Sequence, residues 1–106
     1  MQLNEFLNKL DSLSYAYRWD VDNHNKVVAT IRSGPYRGYT LNPVTALAHK
    51  SGLGVYANTR DGTEYAASLI GLSRKEARRI YSATLGTYNR GNTQVVRGKI
   101  RSALEV

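Results

Sequence analysis

The chain has 106 residues and no cysteine, which limits it to roughly one small domain and excludes disulfides, thiolate nucleophiles and cysteine-containing metal sites. Hydrophobic residues make up 42% and charged residues 22%, enough for a modest core. Fifteen Lys and Arg against eight Asp and Glu give a formal charge of +7, which favours polyanions or acidic protein surfaces as partners. No apolar stretch approaches the ~18 residues of a membrane helix, and the first residues lack a basic segment followed by an apolar run. The expectation is a cytoplasmic chain with no membrane partner.

In chain order, Leu3, Phe6, Leu7, Leu10 and Leu13 recur at helical spacing and predict a first helix over residues 3–13. Tyr15, Tyr17, Trp19 and Val21 alternate with Ala16, Arg18 and Asp20, a period of two that predicts a strand with one aromatic face. The turn formers at residues 22–25 and the β-branched run Val27, Val28, Thr30, Ile31 complete a β-hairpin. Gly34-Pro35 ends it, and residues 36–41 read either as a third short strand or as an extended loop. Asn42 caps, and Pro43 opens, a short helix that Ser51-Gly52 stops. Residues 52–59 read as irregular, and Asp61-Gly62 as a turn ahead of a helical tail. Residues 1–61 hold seven Lys/Arg against five Asp/Glu, and residues 62–106 eight against three, so the basicity concentrates in the shorter, helical part. With no repeat and no linker, both parts are expected to share one core, as a single domain over residues 1–106.

Residues 63–83 imply two amphipathic helices, 64–70 and 74–83, separated by Gly71-Leu72 with Ser73 as N-cap. Ser73 with Glu76 is a capping box. The run Ala67-Ser68-Leu69-Ile70-Gly71-Leu72-Ser73 resembles the helix-turn-helix unit of bacterial DNA-binding proteins, particularly the short form of sigma-factor and response-regulator domains. The resemblance covers about a fifth of the chain. It implies close helix crossing at Ala67, a positive φ at Gly71, and burial of Leu72, Ala77 and Ile80; Ala77 is smaller than the β-branched residue common there. It also implies base-reading side chains near the start of the second helix.

With Leu72, Ala77, Ile80 and Tyr81 facing inward, Arg74, Lys75, Arg78 and Arg79 fall on the outer side of the second helix. Like charges at such spacing repel by roughly 0.2–0.5 kcal/mol per pair, a penalty that phosphate contacts and counterion release relieve. The alternative is a solvated face that keeps the chain soluble. Arg90, Arg97, Lys99 and Arg101 lie on or beside a final helix whose stripe is Val95, Val96, Ile100, Ala103 and Leu104; they either extend the basic surface or stand in solvent over a core-closing helix. Tyr36, Arg37 and Tyr39 interleave aromatics with a cation in a glycine-containing loop, a pattern suited to an exposed binding loop, whereas the strand tyrosines read as core.

Catalytic patterns are missing. Residues 20–31 begin like a calcium loop but lack its sixth-position glycine and carry Ile31 in place of the bidentate glutamate, so a hairpin turn explains them better. His24 and His49 read as a turn residue and a helix-surface residue, without metal-ligand spacing. A small metal-dependent nuclease using Asp20 or Asp22 is the remote enzymatic alternative. Residues 41–48 with Gly71-Leu72-Ser73, Glu76-Ala77 and Ile80 also look like small uncharacterised proteins of phages and their bacterial hosts, which usually carry cysteine where Asn42 stands. That similarity implies a small accessory or host-interacting protein and brings no chemistry.

The expected fold is α+β: an N-terminal helix and a tyrosine-rich β-hairpin packed on a helical C-terminal half with a helix-turn-helix-like unit. The expected function is non-enzymatic and needs no cofactor or metal: binding of nucleic acid, DNA before RNA, in a regulatory or accessory role. A homodimer would multiply a modest single-module affinity. The rival is an interaction module that binds an acidic surface on a host protein.

Overall fold

The computed structural model describes residues 2–11, 17–21, 27–83 and 101–102. They form an α+β fold in the order α1 (Leu3–Asp11), β1 (Tyr17–Val21), β2 (Val27–Ile31), β3 (Thr40–Leu41), α2 (Pro43–Lys50), α3 (Arg60–Ile70) and α4 (Arg74–Ala83). The first helix has nine residues, too few to hold alone in water. Phe6, Leu7 and Leu10 are fully buried, each stabilising by about 1.5–3 kcal/mol, and that packing sustains it. Leu13, Tyr15 and the hairpin turn with Asp22 and His24 lie outside the described residues.

Strands β1 and β2 pair antiparallel from Tyr17 opposite Ile31 to Val21 opposite Val27. The two residues of β3 join the edge of β2, with Ala29 opposite Leu41, so the segment left open between strand and loop is both: a loop over residues 32–39, then a minimal strand. Tyr17, Ala29, Ile31 and Leu41 share the face that packs on the helices. The loop is held by its own backbone, since Gly38 N–H donates to Ile31 O at 2.9 Å and Ile31 N–H to Tyr39 O at 3.0 Å.

Helix α2 is the centre of the fold, touching α1, α3, α4, β2 and β3, with residues 43–48 all buried. Its start is over-determined. The Asn42 side-chain oxygen accepts from the N–H groups of Val44 and Thr45, each at 3.0 Å, and Thr45 Oγ1 accepts from Asn42 N–H at 2.9 Å. The same asparagine reaches across the fold: its Nδ2 donates to Thr63 Oγ1 at 2.7 Å and to Asn58 Oδ1 at 2.9 Å. A buried amide with every bond made ties the entrance of α2 to the first turn of α3.

His49 is half-buried instead of lying on the helix surface. Its Nδ1 is 2.6 Å from the Tyr17 hydroxyl, which donates to Ala46 O at 3.2 Å. One hydroxyl hydrogen cannot serve both, so donation to Ala46 requires Nδ1 to carry its own hydrogen. Burial pushes the Tyr17 hydroxyl pKa up to about 12.

The expected turn at Asp61-Gly62 is instead the first turn of α3, so a boundary between residues 61 and 62 cuts through a helix. Thr59 is the N-cap, its Oγ1 accepting from Gly62 N–H at 3.1 Å, and Asp61 places negative charge at the positive helix end. Glycine stands at 62 for a different reason than turn geometry: a Cβ there would collide with the Ala57 carbonyl oxygen. One buried cluster runs from Phe6 through Ala29, Leu47 and Ala67 to Ile80, so residues from both sides of the expected boundary build the same core. Among the described residues no helix is long and apolar enough to cross a membrane.

Candidate nucleic-acid interface

The α3–α4 pair is built by local signals. Gly71 ends α3 with φ at 83°, and Leu72 N–H reaches back five residues to Ala67 O at 2.9 Å, the long bond of a Schellman closure. Ser73 and Glu76 then form the expected capping box, with Glu76 N–H donating to Ser73 Oγ and Ser73 N–H to Glu76 Oε1, both at 3.1 Å. Ala67, Leu72, Ala77 and Ile80 are all buried between the helices and α2, as their spacing requires. The small side chains at 66, 67 and 77 let these helices approach closely.

Three of the four cations expected on the outer side of α4 are there: Arg74, Lys75 and Arg78 are exposed. Arg79 departs from the expectation by being half-buried. Arg101 is at an exposed helical position, whereas Arg90, Arg97 and Lys99 lie outside the described residues.

Glu64, on the facing side of α3, draws three arginines together. Its Oε1 accepts from Arg78 Nε at 2.6 Å and lies 3.6 Å from Arg60 Nε, while Oε2 lies 3.5 Å from Arg74 Nε. The Arg78 hydrogen bond foremost, joined by the charges of Arg78, Arg74 and Arg60 against an opposing loss of hydration, holds the Glu64 carboxyl below its usual range. The arginine side chains stay 46% to 73% exposed, so each pair by itself adds little stability. Their importance is positional: three guanidiniums converge on one carboxylate, that of Glu64.

Sequence reasoning missed Arg60 and Glu64. The 60/64 pair is an ordinary i,i+4 signal on a helix, but reading Asp61-Gly62 as a turn placed Arg60 outside that helix. The contacts of Glu64 with Arg74 and Arg78 close over ten and fourteen residues and need the helix pair itself.

The tyrosine loop is a second basic surface. Tyr36 is 44% and Tyr39 57% exposed, their rings meet edge to face at 5.6 Å, and Tyr36 also lies edge-on to His49 at 6.4 Å. Arg32 and Arg37 line a hollow of about 350 Å³ beside them with Thr30, Ile31 and Gly38. Neither arginine pairs with a carboxylate among the described residues. Among those residues there is also no group of three His, Asp or Glu side chains able to hold a metal ion. No protein-family model, no curated protein and no solved structure matches this chain.

Proposed function

We propose that this chain is a small basic nucleic-acid-binding protein, preferring DNA to RNA, that acts as a regulatory or accessory factor without catalysing a reaction. The observation that carries the reading is the outer face of α4. Arg74, Lys75 and Arg78 are exposed together on a helix whose start is capped and whose back is buried through Leu72, Ala77 and Ile80. A rigid helix displaying clustered cations suits phosphate contacts and, at its N-terminal end, base edges in a major groove. The tight Gly71 connection and the small residue at 67 support a helix-turn-helix reading of α3 and α4. Arg79 lies beside this face, and Arg90, Arg97, Lys99 and Arg101 are proposed to extend it.

Fluorescence anisotropy of labelled duplex and single-stranded oligonucleotides across a salt series tests the reading. The wild type should bind duplex with a steep salt dependence, and Arg74→Ala/Arg78→Ala should lower the slope by about 0.9 for each phosphate left without its cation. Absence of binding at low salt would sink it.

A second reading, an interaction module for an acidic protein surface, is favoured by the exposed Tyr36–Tyr39 pair on a loop held by four backbone hydrogen bonds. Ordered tyrosines lose little entropy on contact and leave a polar tip for bonding. Tyr36→Ala/Tyr39→Ala should leave duplex affinity unchanged under the first reading; weaker binding there, with Arg74→Ala/Arg78→Ala silent, would move the site to the loop.

A further inference from the structure

Two hollows flank the arginine group around Glu64, and their linings differ in charge. One, of about 430 Å³, is lined by Asp61, Glu64, Tyr65, Ser68, Leu72 and Arg74, so two carboxylates oppose one guanidinium there. The other, of about 280 Å³, is lined among the described residues by Arg60, Arg78, Tyr81 and Ser82, two guanidiniums and two hydroxyl-bearing side chains without a carboxylate. An anion is repelled from the first and attracted to the second. Both Arg60 and Arg78 make their closest approach to Glu64 through Nε, which leaves the terminal amino groups of each fork farther from the carboxylate. Within the ion-paired group three guanidiniums share the single carboxylate of Glu64.

We infer that Arg60, Arg78 and Ser82 form a seat for one tetrahedral phosphate group across α3 and α4, and that Glu64 is the internal anion competing with it for the same guanidiniums. In the free protein Glu64 gathers cations that would otherwise repel one another. On binding, phosphate takes up the outward amino groups, with Ser82 supplying a neutral donor one turn beyond Arg78. The inference rests on the polyanion reading of the α4 face for one source of the phosphate, a nucleic-acid backbone; free phosphate or pyrophosphate is the other. It adds Arg60 to the contact surface, and it makes Glu64 a limit on affinity.

The test has two arms. In the first, duplex binding is followed by anisotropy over a salt series for the wild type, Arg60→Gln, Glu64→Gln and Ser82→Ala. Arg60→Gln should lower the salt slope by about one, and Glu64→Gln, which keeps an acceptor for Arg78 but removes the competing charge, should tighten binding by about threefold. In the second arm, inorganic pyrophosphate is titrated while the arginine Nε–H resonances are followed by NMR. Shifts at Arg60 and Arg78, smaller at Arg74 and weakened in Ser82→Ala, are expected. All three substituted side chains are exposed or partly so, and unchanged thermal melting of each variant confirms that folding is not the cause. Duplex absent but pyrophosphate shifts present at Arg60 and Arg78 would keep the seat and discard the nucleic-acid reading. Duplex bound with the slope unchanged in Arg60→Gln, or Glu64→Gln binding more weakly than wild type, would overturn the inference, as would silence in both arms.

Discussion

The molecule carries arginines on two surfaces and treats them differently. At the hairpin end, Arg32 and Arg37 stand beside exposed tyrosines with no carboxylate among the described residues to meet them. At the α3–α4 end, Arg60, Arg74 and Arg78 converge on Glu64. Net charge sums the two surfaces without distinguishing them. What separates them is pre-organisation: the helical set already has its side chains drawn together by a fixed anion, while the loop offers a rigid backbone carrying uncommitted side chains. Anions suit the first arrangement through its clustered guanidiniums, for which Glu64 is the competitor an incoming phosphate must displace. Mixed aromatic and polar surfaces of a partner fit the second.

The largest expected effect breaks the link between these regions. Asn42 lies where β3 passes into α2 and bonds forward to Thr63 in α3. Asn42→Ala removes the cap and strands the Thr63 and Asn58 partners, and should cost about 3 kcal/mol in urea unfolding. Native-state hydrogen exchange sharpens the comparison: amides of the first turn of α3 should exchange faster, while those of β1 and β2 keep their relative protection. Uniform loss of protection would show that the two ends unfold as one unit.

Gly62→Ala should come next, at about 1–3 kcal/mol, because its Cβ meets the Ala57 carbonyl and the start of α3 must shift. That shift moves Arg60 and Glu64, so phosphate-dependent shifts should fall in this variant even where it remains folded. A Gly62→Ala protein as stable as wild type would contradict the close approach.

The smallest effect is a pair of pH limbs, one from each region. The Glu64 carboxyl is lowered in the folded state, so the unfolded chain binds the extra proton; its contribution is complete above the ordinary carboxyl value of 4.5 and disappears as pH falls through the lower folded value. Glu64→Gln should flatten the acid limb slightly, as suits an exposed pair. Tyr17 is raised, so the unfolded chain loses its proton first; stability should hold below pH 10 and decline as pH rises toward about 12. Tyr17→Phe should remove that alkaline slope in a guanidinium titration followed by circular dichroism.

Much of the fold was legible in the residues because many of its signals close within a few positions. Asn42-Pro43 starts a helix, Gly52 and Gly71 end two, and Ser73 with Glu76 start another, each through backbone groups three to five residues away. Period-two spacing likewise placed β1, a β-branched run placed β2, and helical spacing placed α1 and the buried face of α4, since side-chain direction follows directly from backbone geometry. The tertiary structure alone decided the rest: that Asn42 also bonds to Thr63, that His49 meets Tyr17 across 32 residues, that Gly62 is required by Ala57, and that Glu64 collects Arg60, Arg74 and Arg78. Those contacts depend on where whole helices come to rest. Their positions are set by the summed packing of the core around α2, which no short run of residues contains.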